Sequence, residues 1–490
     1  MTVRRSILCR AALLAGAASL LSACVSVPDV GPAPSVRAPA DYAATRTLAG
    51  TSEGAWPAER WWTAYGDAQL DALIEEALAN APDLSVAAAR VRAAEAVAQQ
   101  AGAARLPRVD ATGSATATKQ SENNGVPPAL VPGGINDRGQ VAIEIGFDLD
   151  LWGRNRAALA AATSRAEAAR LEQAEARLAL STNIAAAYAD LAQLHALQDV
   201  QRDALRIRER TSGLVARRVA GGLDTQAEAR QAASAVPAAR AELLALDEQI
   251  ALTRNRIAAL LGKGPDRGLA ITRPSPRVTA RPLPAGVSTD LIGRRPDVAA
   301  ARARVEAAAR QIDVARADFY PSINLSAMVG LQAFGLGNLL SGGSTFLNAG
   351  PAISLPIFRG GQLQGRYRES RAGFDEAVAF YDRAVTGAYA QVANAVTSQR
   401  AFAAQVDQRR RALADAEAAY RVAQLRFNAG LSSYLEVLSA EDRALLARRA
   451  VADLDARGFA IDVALVRALG GGFVAPTNPS QSQAQEQPGG

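Results

Sequence analysis

Each half of the chain carries two stretches in which apolar residues take every second position. Val109, Ala111, Gly113, Ala115 and Ala117 alternate with Asp110, Thr112, Ser114, Thr116 and Thr118. After a Gly-, Pro- and Asn-rich loop over 121–137 come Val141, Ile143, Ile145, Phe147, Leu149 and Leu151, with Glu144 and Asp148 between them. A period of two marks a strand with one apolar and one polar face. The pattern predicts a hairpin with strands at about 108–120 and 138–152. The second half offers Ile323, Leu325, Ala327, Val329 and Leu331, a Gly-rich tip from Gly335 to Gly343, and a further alternating run ending at Phe358. Strands are predicted there at about 321–334 and 344–358.

Between the hairpins the period changes. From Arg154 to about Ala216 there is no proline and one glycine, Gly213. A helix of ~60 residues spans ~90 Å, several times the usual length. Ile184, Tyr188 and Leu191 mark its apolar stripe. The run from about Leu363 to Asn428 is likewise free of proline, and Leu431, Leu435, Leu438 and Leu445 follow at coiled-coil spacing. A first helix is expected from about Gln69 to Ala104, and Pro237 is expected to bend the helix that contains it.

These elements come twice, about 210 residues apart. Pro82-Asp83-Leu84 leads to Leu106-Pro107, and Pro296-Asp297-Val298 leads to Tyr320-Pro321; both Pro-to-Pro spacings are 25 residues (107 − 82 and 321 − 296). Arg218 and Gly222 answer Arg426 and Gly430, and Ala259-Leu260-Leu261-Gly262 answers Arg467-Ala468-Leu469-Gly470. Such self-similarity predicts one unit built twice. The first unit is expected over 67–262 and the second over 291–472, with a Pro-rich linker over 263–290. Residues 24–66 read as an extended N-terminal segment, and 473–490 as a disordered tail.

Composition sharpens this picture. Hydrophobic residues make up 49% of the 490 and aromatics only 5%, so alanine carries much of the apolar share, which suits close-packed helices. The net charge of +6 comes from 54 basic and 48 acidic residues interleaved along the helices. With no basic-aromatic stripe, this reads as a solvated surface rather than a nucleic-acid footprint. Arg4 and Arg5, the apolar run Ala11 to Leu21 and the small residues before Cys24 form a signal peptide over 1–23. The ending Leu21-Ser22-Ala23-Cys24 resembles a bacterial lipobox, which implies lipid on Cys24. Val25 after it is compatible, by that resemblance, with an outer-membrane destination.

Four strands cannot close a membrane barrel, which needs about eight, and an open sheet edge cannot face lipid. Either several copies close a barrel together, or the strands form a small soluble sheet. Trp152, Phe319, Tyr320 and Phe358 flank the strands. They read either as an aromatic girdle at a membrane–water interface or as ordinary core aromatics at element ends.

Several motifs together resemble the outer-membrane factors of tripartite efflux pumps, in their TolC-like, NodT-type lipoprotein branch. They are Phe147-Asp148-Leu149-Asp150-Leu151-Trp152-Gly153-Arg154, Leu291-Ile292-Gly293-Arg294-Arg295-Pro296-Asp297-Val298, Phe319-Tyr320-Pro321, and Arg467-Ala468-Leu469-Gly470-Gly471-Gly472. The resemblance runs from about Trp61 to Gly472. It implies an α+β membrane protein, a homotrimer whose strands make one 12-stranded outer-membrane β-barrel continued by a long periplasmic α-helical barrel. It implies as partners a periplasmic adaptor protein, an inner-membrane transporter of the resistance-nodulation-division class, and outer-membrane lipid. An outlet for secreted oligosaccharide or protein, or a lipid-anchored periplasmic coiled-coil scaffold, is the alternative.

The same resemblance places a periplasmic aperture where the helix pair around Leu425–Asn428 and Leu431–Arg443 turns. The family pattern there is Tyr-Leu-x-x-Leu-Asp-Ala-Gln-Arg, and Tyr434, Leu435, Leu438 and Ala440 match it. Ser439 stands where the family often has aspartate, and Asp442 where it has arginine. Glu436, Glu441 and Asp442 either replace the missing acid in a ring that attracts cations or only cap and solubilise the helix end. Leu435 is the candidate constriction. No catalytic, cofactor or metal constellation accompanies these residues. His195 is the only histidine, and Gly335-x-Gly337 lies at a hairpin tip rather than in a phosphate loop. The expected function is passive, gated conduction, not enzymatic turnover.

Overall fold

The computed structural model describes residues 27–474 apart from 39–40, 43–44, 49–53, 124, 126, 278–280, 285–286 and 288–290. Cys24, the expected signal peptide over 1–23 and residues 475–490 of the expected tail lie outside the described residues.

The elements run α1 (Ala68–Asn80), α2 (Pro82–Ala103), β1 (Arg108–Thr118), β2 (Asn136–Asp148), α3 (Arg154–Ala220), α4 (Gln226–Leu260), α5 (Pro296–Ala317), β3 (Ser322–Phe334), β4 (Thr345–Ser354), α6 (Gln362–Asn428) and α7 (Tyr434–Ala468). Helices α3 and α6 each have 67 residues, α4 and α7 each 35, and α2 and α5 each 22. The chain forms two compact units. One takes in Val91–Ala169 and Ala301–Tyr381, the other Arg37–Arg90, Arg170–Ala300 and the chain from Asp382.

The first unit holds a single four-stranded antiparallel sheet in the order β1-β2-β3-β4. Its register aligns Ala111, Ile143, Val329 and Leu347 across the sheet, and Val109, Ile145, Ala327 and Ala349 in the next row of that face. This apolar face is uncovered: Val109, Ile143, Val329 and Leu347 are 63, 47, 48 and 73% exposed. The opposite face carries Asp110, Glu144, Met328 and Asn348 in register, with Thr112 donating to Glu144 at 3.1 Å. The connections to α2, α3, α5 and α6 all lie at one end of the sheet.

The strands stop short of the expected 152 and 358. At the end of β2 the chain turns at Asp150, which has φ +46°. The Asp150 carboxylate accepts from the backbone N–H groups of Asn155 and Arg156 at 2.8 and 3.0 Å. Asp148 in turn accepts from the Asp150 N–H and from Asn155 Nδ2, at 2.9 and 3.1 Å. The acids of the Phe147–Arg154 motif thus cap α3, where orphan donors and the helix dipole favour a carboxylate. That pull ends the strand.

In the second unit, Trp61, Tyr65, Leu70, Ile74, Ile184, Tyr188, Ile257, Leu261 and Phe459 form the core. The expected extended segment therefore ends before Trp61, because Trp61–Tyr65 is a short 3-10 helix with its rings buried. The expected single helix from Gln69 to Ala104 is two. Ala81 adopts an extended conformation (ψ 128°) because Pro82 follows it. Pro237 lies within α4, which runs on past it to Leu260. Arg295 is 4% exposed. It forks onto Asp297 at 3.0 and 2.6 Å and donates to the Ala468 carbonyl at 2.9 Å. A Cβ on Gly470 would lie 1.9 Å from the Arg294 carbonyl, so the closing glycine lets the end of α7 meet the start of α5.

Candidate functional site

Two helix-to-helix turns lie in the second unit, Gly221–Thr225 between α3 and α4 and Ala429–Ser433 between α6 and α7. Both turn on a left-handed glycine, Gly222 (φ +73°) and Gly430 (φ +76°). In each, a leucine N–H closes on an arginine carbonyl, Leu223 on Arg218 at 2.9 Å and Leu431 on Arg426 at 2.8 Å. These are Schellman-type ends, which need a residue tolerant of positive φ.

Around the second turn the aperture candidates separate. Leu435 is 61% exposed and Leu431 69%, whereas Leu445 is 9% exposed. The expected leucine stripe is therefore split, with Leu438 partly covered and Leu445 buried while Leu431 and Leu435 stay exposed. Tyr434, Val437 and Ala444 are buried against Val215, Ala232, Tyr420 and Phe427, with Leu438 and Ala440 partly covered. The buried set repeats at helical spacing, displaced from Leu431 and Leu435 because Tyr434 packs on Phe427, with ring centroids 6.2 Å apart. Leu435, Glu436 and Ser439 instead share an open groove of about 580 Å³ with Asp415 and Arg443.

Glu441 departs from an acid presented to a lumen, since it is 4% exposed. It meets Arg208 of α3 at 3.4 Å, and the same guanidinium holds Asp442 at 3.0 Å. Burial pushes the Glu441 carboxyl above the usual range, and Arg208 opposes that shift. The Tyr434 hydroxyl is pushed up to about 12 by burial, then by Glu441. Of the three acids, Glu436 and Asp442 are exposed and Glu441 is interior.

Arg208 was not among the expected site residues, and no local signal marks it, since it stands 233 residues from Glu441. Arg218 has a sequence signal only in its partner spacing. It forks onto Asp224 at 2.9 and 3.1 Å and lies 4.5 Å over the Phe427 ring, a cation–π contact.

The aromatics at the strand ends divide. Trp152 is 51% exposed, Tyr320 42% and Phe358 87%. Trp152 and Tyr320 stack at 4.7 Å and 19°, and the indole N–H donates to the Pro321 carbonyl at 2.8 Å. Phe319 is a correction to the expected girdle. It is 5% exposed and packs with Ala315, Leu363 and Tyr367, with Val27 and Val30 against the cluster. It is a core residue because the turn at the end of α5 points it back onto α6.

Among the described residues no group of three or more His, Cys, Asp or Glu is placed to hold a metal, and no helix is long and apolar enough to cross a membrane.

The profile of the family described as "Outer membrane efflux protein" matches residues 73–263 and 287–471. The fusaric acid resistance protein FusA of Burkholderia cepacia is 37% identical over 365 residues, 72% of this chain and 68% of its own. The multidrug resistance outer membrane protein MdtP of Escherichia coli (strain K12) is 30% identical over 432 residues, 86% of this chain and 88% of its own. The crystal structure of the outer membrane protein VceC of Vibrio cholerae superposes with a TM-score of 0.82 at 44% identity, covering 85% of this chain and all of that one.

Proposed function

Because the chain belongs to the outer membrane efflux protein family, we propose that it is the outer-membrane conduit of a tripartite pump, a homotrimer conducting substrates through a gated tunnel. The observation that carries this is the sheet. It has four strands, two unpaired edges at β1 and β4, and an apolar face left uncovered. In lipid an open edge leaves backbone groups unsatisfied, so β4 of one copy pairs with β1 of the next. Three copies of the four-stranded sheet give 3 × 4 = 12 strands. The uncovered face meets lipid and the polar face lines the lumen.

The equal lengths of α2 and α5, α3 and α6, and α4 and α7 support one unit built twice, over 67–262 and 291–472. The helices continue the barrel into the periplasm, where they receive an adaptor protein and an inner-membrane transporter of the resistance-nodulation-division class. Lipid on Cys24 tethers the mature N-terminus. The aperture lies at the turn between α6 and α7. There Leu435 provides an apolar constriction, and Glu436 and Asp442 supply the charge in place of the family's aspartate at Ser439. The names of FusA, a fusaric acid resistance protein, and MdtP, a multidrug resistance protein, favour the efflux of small toxic compounds as the cargo class.

The test is single-channel conductance of the purified protein in planar bilayers, with its oligomer mass in detergent. Discrete, cation-preferring currents from a trimer are expected, and Leu435→Gly with Ser439→Gly raises them. A monomer without current, or an unchanged current in the double variant, removes respectively the conduit and the aperture.

A further inference from the structure

At the helix-bearing end of the sheet the first unit has a pocket of about 220 Å³. That is the scale of a lipid headgroup rather than of a drug-sized ligand. Its wall brings Arg154, Arg359 and Arg366 together with Trp152 and Tyr320. Three carboxylates, Asp148, Asp150 and Asp318, share that wall. Asp148 and Asp150 are occupied by the turn into α3, and Asp150 also meets Arg156 at 3.4 Å. Asp318 takes Arg154 at 2.7 Å and is left 3.8 Å from Arg366. Arg359 is exposed and has no ion-pair partner among the described residues. The pocket therefore keeps one unneutralised guanidinium and a second that is only loosely held. Helix α6 begins three residues after Arg359 with no acid in its first turn, so its positive end adds to the same field.

The apolar half of a lipid site adjoins this charge. Beyond Ser354, the last paired residue of β4, Ile357 is 60% exposed and Phe358 87%. They follow β4 directly and precede Arg359 of the pocket wall. An amphipathic ring pair with one polar atom fixed, beside a free guanidinium whose chain neighbours are exposed and apolar, is the arrangement expected at a headgroup boundary.

We propose that this pocket holds the phosphate of a glycerophospholipid from the periplasmic leaflet of the outer membrane. Arg359 and Arg366 bind the phosphate, and Ile357 and Phe358 lie along the acyl chains. The guanidinium fork matches phosphate oxygens with charge-assisted bonds, as in other basic headgroup pockets beside membrane segments. The proposal rests on the lipid-facing sheet of the trimeric conduit described above.

Native mass spectrometry of the full-length protein in detergent, titrated with dioleoylphosphatidylglycerol, tests it. Wild type is expected to retain phospholipid adducts, and Arg359→Gln with Arg366→Gln to retain roughly tenfold fewer, as loss of charge-assisted bonds implies. Inorganic phosphate is expected not to displace the lipid. Phe358→Ser keeps every arginine and, by the same readout, reports on the apolar half should the arginine variant fail to fold. Equal adducts in wild type and both variants overturn the proposal. So does displacement by inorganic phosphate, which marks a soluble-anion site, and so does an absence of adducts on a trimer that still conducts. Loss of the trimer and its current in wild type would instead count against the conduit itself.

Discussion

The two helix turns share a backbone but are held in different ways. In the first, Arg218 forks onto Asp224, and Thr225 and Glu228 form a reciprocal capping box, with Glu228 accepting from the Thr225 N–H at 2.8 Å and Thr225 accepting from the Glu228 N–H at 3.3 Å. In the second, Ser432 stands where the first has Asp224, and its hydroxyl is buried without a partner. Ser433 makes no side-chain cap bond, and Glu436 faces solvent. The second turn depends instead on side chains from α3, with Arg218 over Phe427 and Arg208 on Glu441 and Asp442. Identical backbone geometry thus hides unequal restraint. The first turn is self-supporting and the second is held by its neighbour, which suits the second to movement.

The contrast can be broken most strongly at Arg208. Its loss takes from the buried Glu441 its directly paired counter-charge and leaves only the weaker influence of Arg448, which costs about 3 kcal/mol. Arg208→Ala is expected to lower the thermal midpoint and raise single-channel current, and adding Glu441→Gln should recover much of the stability. An unchanged midpoint would place the hold on the second turn elsewhere. Arg218→Ala should cost about 2 kcal/mol through a charge-assisted fork and a ring contact. Because Arg218 serves both turns, hydrogen exchange should quicken over 223–228 and over 427–434. Acceleration confined to the first segment would sever the link between them.

A smaller and sharper test pairs the two N-caps. Thr225→Ala should cost about 1 kcal/mol, whereas Ser433→Ala should leave the denaturation midpoint unchanged. Equal losses would mean that the turns are restrained alike.

The smallest effect is in pH. Burial raises the Glu441 carboxyl above its unfolded value, so the folded protein holds that proton more tightly. The stability this contributes is fully present below the ordinary glutamate pKa and is lost as pH rises through the folded-state value. Wild type should therefore gain stability relative to Glu441→Gln as the pH of a melting series is lowered. A gap that widens the other way would show Arg208, not burial, in control.

The strands were legible because alternation is local. Each residue from Val109 to Thr118 faces one side or the other whatever its distant neighbours do, and the lengths of α3 and α6 follow from the absence of proline and the helical period. The ends of β2 were harder to read, since Asp148 and Asp150 satisfy the strand pattern yet are drawn into capping α3. The aromatics read as one level, but only Trp152, Tyr320 and Phe358 are exposed.

Pattern along the chain therefore determined the elements, their order and the two-faced sheet, because periodicity needs only near neighbours in sequence. It could not reveal which face of α7 is interior. The leucines at coiled-coil spacing suggested one stripe, but only Leu438 and Leu445 of them turn inward, beside Tyr434 packed on Phe427. Nor could it find Arg208, whose partner Glu441 is 233 residues away, or that Ser432 breaks the match between the turns. Those properties belong to side chains that meet only when distant helices pack, and charge pairing and burial are fixed at that point, not before.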